Sequence, residues 1–194
     1  MSDGTYNAAR ICQFLAQPQS AVSLFGYVRD GLIREIGCGL MTASLYDLQT
    51  MRTRRVFTDN DAAYALGNFK RLDRNRFYQL VVEAAKPFSS TTIEELAEVF
   101  FDWEHIQALG YGSNLNVPAV ANGMILGTIN LLENPGHYTP DRVAAAMKWQ
   151  PLVTLSFLLL VAEGPESANF LGRPTSQGAI TEGARQTHEA RPHI

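Results

Sequence analysis

Asp102 and His105 stand three residues apart and form the clearest candidate acid–base pair of the chain. A carboxylate and an imidazole within hydrogen-bond reach exchange protons near neutral pH, and Tyr46 would add a third titratable group. A simpler interpretation competes, because Asp102 precedes a short helical pattern, Trp103–Leu109, where an aspartate caps the first turn. The sequence therefore leaves a catalytic role for these three residues open.

A second group of residues has the chemistry to bind a small molecule. Arg55 and Lys70 are cations, and a guanidinium group matches the geometry of a carboxylate, so a small organic, anionic ligand would suit them. Surface charge, a satisfied sheet face and core packing are the competing structural interpretations. The predicted ligand-binding residues are Thr42, Ser44, Tyr46, Arg55, Tyr64, Lys70, Asp102, Ser113 and Thr128.

The residue pattern gives no support for metal, cofactor or nucleophile chemistry, and we predict neither a metal nor a cofactor. His188 and His193 lack the spacing of metal ligands. Cys12 and Cys38 are too few for a disulfide framework. Ser113 lacks the Gly-x-Ser-x-Gly context of a hydrolase nucleophile.

Composition narrows the class of protein further. The chain has 194 residues, 46% of them hydrophobic and 18% charged, with a net charge of −3. This is enough apolar material for one folded domain, and a basic surface for nucleic acid is not indicated. The longest apolar run, Leu152–Ala162, is shorter than the roughly 20 residues that cross a membrane. No signal-peptide pattern opens the chain, so we expect a soluble, cytoplasmic protein.

The elements that must position these residues follow from periodicity and caps. Leu40–Asp47 alternates between an apolar face, with Met41, Ala43 and Leu45, and a polar face that carries Thr42, Ser44 and Tyr46. A second strand is predicted at Arg54–Asp59, and 60–72 is predicted to be irregular. The predicted helices are Thr5–Ala16, Ser20–Ile36 with Ser20 as N-cap, Asp73–Ala85 with Asp73 as N-cap, Thr92 to about Phe101, and Pro140–Ala162 with a kink at Pro151.

A β-hairpin is the strongest local signal. Two apolar runs, Leu115–Ala121 and Met124–Glu133, flank Asn122-Gly123, which tolerates the positive φ angles of a two-residue turn. Strict alternation puts Ile125, Gly127, Ile129 and Leu131 on one face and Met124, Leu126, Thr128, Asn130 and Leu132 on the other.

The same hairpin register predicts the placement of two asparagines. A two-residue turn places Asn116 near Ile129, so Asn116 and Asn130 are expected on opposite faces of the hairpin. At most one of the two would then line a given pocket.

This element order predicts an α+β domain with an antiparallel sheet, long terminal helices on one face, and short helices and loops on the other. The domain spans 1–162, with N-terminal helices at 5–36 and a core at 37–162, and 163–194 is predicted to be a disordered tail. The end of the last helix is apolar on all sides, so the first helix, a partner subunit or both must cover it.

Several short blocks of the sequence together resemble a known family. They are Thr42–Asp47 (TASLYD), Arg55–Tyr64 (RVFTDNDAAY), Gly67–Lys70, Lys86–Phe88, Phe101-Asp102, Leu109–Val117 (LGYGSNLNV) and Gly127–Leu132 (GTINLL). These blocks resemble the GAF domain, a PAS-like sensor fold, and in particular the small stand-alone bacterial GAF-domain proteins. The match covers about Ile36–Leu160.

The resemblance implies a ligand cavity under the short helices and a homodimer formed by the terminal helices. Asn130 is followed by Leu131 rather than by the lysine of cyclic-nucleotide-binding members. No cysteine follows Cys38, so the thiolates of free methionine sulfoxide reductases, which share this fold, have no counterpart in 86–116.

Three functions remain open at this point, of which a scaffold that only dimerises is the simplest; the other two belong to different classes. The first is a sensor or regulatory module that binds a small molecule and reports it through a dimeric helix bundle. The second is a small enzyme, a hydrolase or an isomerase, that acts on a small polar metabolite in the same cavity.

Overall fold

The computed structural model describes residues 5–67 and 69–163. The strands are β1 Leu40–Asp47, β2 Arg52–Thr58, β3 Phe69–Arg71, β4 Phe88–Ser90, β5 Ser113–Ala121 and β6 Met124–Glu133. The helices are α1 Ala8–Leu15, α2 Ser20–Ile36, α3 Ile93–Ala97, α4 Trp103–Ala108, α5 Pro140–Met147 and α6 Gln150–Glu163, with a π-helical segment at Tyr78–Glu83. The predicted tail lies outside the described residues from 164 onward, and the domain limits remain a prediction.

The six strands form one antiparallel sheet in the order β3-β2-β1-β6-β5-β4. Its two faces differ, because side chains alternate along each strand. The long helices α2 and α6 cover one face, where Met41 and Ala43 of β1 are fully buried with Ile129 of β6. The π-helical segment, α3 and α4 cover the other face. The predicted α+β class and layer order are confirmed.

The start of α2 is capped by a side chain at the end of α6. A carboxylate oxygen of Glu163, the last residue of α6, accepts hydrogen bonds from the Ala21 backbone N–H at 2.7 Å and from the Ser20 hydroxyl at 3.2 Å. A negative charge at a helix N-terminus is favourable. The prediction that Ser20 itself caps this helix is therefore wrong, and the contact ties the first turn of α2 to the end of α6.

The last helix is two helices rather than one kinked helix. The break falls at Lys148-Trp149, and the axes of α5 and α6 differ by 50°. Trp149 is fully buried and its indole N–H donates to Glu35 at 3.0 Å. Pro151 then stands in the first turn of α6, where a missing N–H has no cost, so it starts a helix instead of kinking one.

The lengths of the helices bear on whether the chain could cross a membrane. Among the described residues no single helix is long and apolar enough to span a bilayer, although α5 and α6 taken together, despite their bend, meet that criterion by length and composition.

The hairpin turn has the predicted form, with φ of 50° at Asn122 and 71° at Gly123. The register beyond it does not follow strict alternation. Ala119 pairs with Gly127 and Val120 pairs with Ile125, so Leu126 bulges out of β6 without an opposite residue. A bulge shifts every later residue by one position relative to the partner strand.

The bulge corrects both hairpin predictions. Asn116 pairs directly with Asn130, so the two asparagines share one face instead of lying on opposite faces. Ile125 packs with Leu72 and Phe77 below the short helices, away from Ile129. The predicted faces are right only for the part of β6 that follows the bulge.

The predicted and observed structures also differ in three smaller ways between β2 and β5. β3 lies in the segment predicted to be irregular. The helical turns that follow start after Asn75, whose side chain accepts from the Tyr78 N–H at 3.2 Å, so Asn75 rather than Asp73 is the cap. The helix at Thr92 has the predicted cap, a 3.3 Å bond from the Glu95 N–H, but it ends at Ala97.

Candidate functional site

A cavity of about 130 Å³ lies between the polar face of the sheet and the short helices. An apolar protein cavity of roughly 150 Å³ holds benzene, so this slightly smaller space suits a molecule of about that size. Apolar side chains from four segments line much of it, among them Leu40, Leu72, Phe77, Leu96 and Phe100. Seven of the nine predicted ligand-binding residues line it: Thr42, Ser44, Tyr46, Arg55, Tyr64, Lys70 and Asp102.

The sheet supplies a polar floor. Asn114 and Asn116 of β5 and Asn130 of β6 lie side by side and hydrogen-bond to one another at 2.6 and 2.8 Å. The Asn130 amide then donates to the hydroxyls of Thr42 and Ser44 on β1, each at 3.1 Å. Buried amides are stable when their hydrogen bonds are filled, and this chain of bonds crosses three strands.

One wall of the cavity carries charge. Arg55 is only 6% exposed, donates to the Ala65 carbonyl at 3.1 Å, and stacks on the Tyr64 ring at 4.4 Å. Lys70 donates to the Asp102 carboxylate at 2.6 Å, and the Tyr64 hydroxyl reaches the same carboxylate oxygen at 3.4 Å. β2, β3 and the start of α4 thus bring two cations and one carboxylate to the same wall.

Asp102 does not act as the predicted helix cap. It occupies the residue before α4, but its side chain makes no capping hydrogen bond and points to Lys70 instead. Burial by itself would raise the pKa of Asp102, but the charge of Lys70 and its hydrogen bond outweigh that effect, so the net pKa lies below the ordinary value. At neutral pH Asp102 is an ionised partner of Lys70.

Tyr46 is half-buried, and its hydroxyl acts as a hydrogen-bond donor. Its hydroxyl lies 2.8 Å from the Thr128 hydroxyl, which donates its own proton to Asn130 at 2.7 Å. Thr128 has one proton, so Tyr46 must donate to it. Burial raises the pKa of Tyr46 well above its ordinary value. Both facts make Tyr46 a poor proton carrier near neutral pH.

Three predicted residues do not line the cavity. His105 lies outside it, where its ring contacts the Ala63 carbonyl at 3.1 Å and packs edge-on against Tyr64. Ser113 is fully buried, donates to the Ser90 carbonyl at 2.8 Å and accepts from the Tyr138 N–H at 3.1 Å. Thr128 lies beneath the floor and orients Tyr46 and Asn130. These contacts give Ser113 and Thr128 structural roles.

Part of the floor is not predicted from the sequence. Asn114 is absent from the predicted ligand-binding residues, and Asn116 is predicted on the face opposite Asn130, whereas the structure places both in one hydrogen-bonded row with Asn130. The spacing Asn114-x-Asn116 was an available signal, because residues two apart on a strand share a face. The register with β6 has no such local signal, because it depends on packing between strands. Gly127, next to the bulge, is closely packed: a side chain there would overlap the Ser44 carbonyl and the Phe157 ring.

Comparisons with known proteins agree with this architecture. No family model and no curated protein matches the sequence. The GAF domain of a two-component sensor histidine kinase from Bacillus halodurans superimposes with a TM-score of 0.60 at 9% identity, over 72% of this chain and 95% of that chain. The GAF domain of an Acinetobacter phosphoenolpyruvate-protein phosphotransferase gives 0.57 at 12% identity, over 79% and 91%.

A third structure is the blue-light absorbing form of the Thermosynechococcus elongatus PixJ GAF domain, with a TM-score of 0.55 at 13% identity, over 80% of this chain and 96% of that chain. In all three cases nearly the whole of the other domain is matched. The chain therefore has the GAF-domain fold, as its sequence blocks predicted.

Proposed function

We propose that this protein is a sensor or regulatory module that binds a small organic anion in the GAF cavity. The observation that carries the proposal is a cavity with a hydrogen-bonding floor and a cationic wall. Such a combination of apolar surface and a few convergent polar groups is typical of small-ligand sites. The cytoplasmic location of the protein remains a prediction from the sequence.

The charged lining favours an anionic ligand. The charged side chains at the cavity are three cations and two carboxylates: Arg55, Lys70, Arg71, Asp73 and Asp102. Arg71 and Asp73 pair with each other at 2.6 Å, as do Lys70 and Asp102. Guanidinium and ammonium groups at this wall suit the charge and the hydrogen-bonding geometry of a carboxylate.

The geometry supports binding more than catalysis. Asp102 is held ionised by Lys70, the Tyr46 proton is committed to Thr128, and His105 does not line the cavity. An acid–base enzyme needs a group whose pKa lies near the working pH and which reaches the substrate. None of the three predicted catalytic residues meets both conditions, so the enzyme is the weaker alternative.

Native mass spectrometry of the purified protein, followed by a thermal-shift series, tests the proposal. We expect a small acid retained at about one per subunit. We also expect carboxylates such as benzoate to raise the melting temperature, because a ligand at 100 times its Kd adds about 2.7 kcal/mol to the free energy of unfolding. The matching amide, benzamide, lacks the negative charge and should raise the melting temperature much less. Equal shifts from acid and amide would contradict an anion site.

The matched variants are Arg55→Met and Arg34→Met. Arg55 lines the cavity, whereas Arg34 is exposed on α2. Only Arg55→Met should abolish the shift caused by benzoate. Turnover of the retained acid by fresh protein would favour the enzyme instead.

We also infer that two copies associate through α2 and α6. Val22 is 49% exposed, and on α6 Leu158 is 43% and Val161 is 49% exposed. Leu158 and Val161 are three residues apart and so share one surface of the helix. Val22 lies at the same end of the bundle, because its neighbour Ala21 bonds to Glu163. Grouped exposed apolar side chains mark an interaction surface.

Light scattering tests the dimer. We expect the wild type to be a dimer and Val161→Glu to be a monomer at the same concentration, because a charge on an apolar interface must be desolvated. Met124→Glu is the control, since Met124 is 59% exposed at the hairpin tip, away from these helices. A monomeric wild type, or an equal effect of both variants, would contradict the assignment.

A further inference from the structure

The hydrogen-bond direction of the cavity floor is fixed by one backbone group. The Ser90 N–H donates to the Asn114 side-chain oxygen at 3.0 Å. A backbone N–H can only donate, so the atom of Asn114 that faces it must be the oxygen. The Ser90 hydroxyl contacts the same oxygen and therefore also donates to it. The orientation of the Asn114 amide is thereby determined.

The orientation of the next two amides follows from the first. Asn114 turns its NH2 toward Asn116 at 2.6 Å, so the group of Asn116 that receives it is the oxygen. Asn116 then turns its own NH2 toward the Asn130 oxygen at 2.8 Å. The Asn130 NH2 donates one hydrogen to the Thr42 hydroxyl oxygen and the other to the Ser44 hydroxyl oxygen. A reversal at any one amide would bring two donors or two acceptors together.

Four donor hydrogens are left over at the floor. The hydroxyls of Thr42 and Ser44 accept from Asn130 and keep their own hydrogens, and Asn114 and Asn116 each keep a second N–H. All four residues line the cavity, and within the described part of the chain these hydrogens have no acceptor. A buried unfilled donor is rarer than an unused carbonyl lone pair, so the floor is short of acceptors.

We propose that the floor selects for a hydrogen-bond acceptor, and that the ligand is a small carboxylic acid with a carbonyl group at its other end. The proposal rests on the proposed function, which assigns the carboxylate to the wall of Arg55 and Lys70. A carbonyl oxygen takes two donors and offers none, which matches the floor. The apolar side chains of the lining fit the hydrocarbon that joins the two groups.

Three probes of nearly equal size test this selectivity: levulinate, with a ketone oxygen; isocaproate, with a methyl group in its place; and γ-aminovalerate, with an ammonium group there. Isothermal titration calorimetry is expected to give levulinate at least about tenfold higher affinity than isocaproate, with γ-aminovalerate the weakest, because an acceptor fills buried donors and an ammonium adds more of them.

The outcomes separate the two proposals. Equal affinities of levulinate and isocaproate, or a preference for the amine, would overturn the selectivity of the floor and leave the anion site intact. If none of the three bound at millimolar concentration, both proposals would be wrong, because isocaproate already has the carboxylate for the cationic wall and a hydrocarbon chain for the apolar lining.

Variants locate the effect on the floor. Thr42→Val is isosteric and removes one donor, and the Asn130 N–H that Thr42 accepted then faces a methyl group that shields it from the cavity. Ser44→Cys is the second variant in case the first folds poorly, because its thiol still faces the other Asn130 N–H but is only a weak donor. In either variant the ratio of levulinate affinity to isocaproate affinity is expected to fall several-fold toward one. Ser89→Ala is the control, since Ser89 is exposed on β4 and is not part of the lining. An unchanged ratio in both floor variants would overturn the proposal.

Discussion

Replacing Lys70 by methionine is expected to lower the free energy of unfolding by about 3 kcal/mol at pH 7, because the change leaves a buried carboxylate without its cation. The Asp102 side chain is 10% exposed and Lys70 is 24% exposed, so water screens the pair only weakly. Arg55 and the Tyr64 hydroxyl remain nearby, which keeps the expected loss at the lower end for a broken buried pair. Urea unfolding of both proteins measures the difference.

The pH dependence of this loss has a definite sign. In the wild type the pKa of Asp102 is lowered on folding, so the pair stabilises above the unfolded pKa of about 3.9, and that stability is lost as the pH falls through the folded pKa. In Lys70→Met the folded pKa of Asp102 is expected to rise. The variant should therefore lose stability as the pH rises from about 4, and its deficit relative to wild type should shrink toward acid pH.

Two further variants separate charge from shape. Lys70→Met with Asp102→Asn removes both charges and should recover much of the loss, because a neutral amide has a far smaller desolvation cost than a carboxylate. Lys86→Met changes an exposed lysine and should have little effect. If the double variant were as unstable as Lys70→Met at pH 7, packing of the lysine chain rather than its charge would explain the result.

Gly31→Ala is expected to cost about 3 kcal/mol for a steric reason. A methyl group on Gly31 would overlap the six-membered ring of Trp149, which is fully buried against α2. The indole cannot easily withdraw, because its N–H bonds to Glu35 and the rings of Tyr6 and Tyr27 lie 5.8 Å from it. Overpacking of a rigid core group is destabilising.

Gly26→Ala on the same helix is the matched control. Nothing lies within 4 Å of the position its methyl group would take, so the change should stabilise the protein by about 0.5–1 kcal/mol through helix propensity alone. Urea unfolding at two protein concentrations keeps a change in association apart from a change in folding. Destabilisation of the same size in both variants would show that the fit against Trp149 does not limit this position.

The local elements near the site were largely readable from the sequence. Alternation in β1 placed Thr42, Ser44 and Tyr46 on one face, and Asn122-Gly123 placed the hairpin turn, because each signal depends on neighbours within a few residues. Several caps were misassigned for the opposite reason. Glu163 caps α2 from across the domain, and Lys70 draws Asp102 away from α4.

The α+β class, the polar face of β1 and the set of side chains that could form an anion site are all predictable from the sequence, because composition and periodicity are properties of the chain. Which of these side chains meet depends on the folded structure. The bulge at Leu126 brings Asn116 beside Asn130, and the pairing of β5 with β4 aims the Ser90 N–H at Asn114. Register and long-range contacts depend on packing between strands, and no short stretch of sequence contains that information.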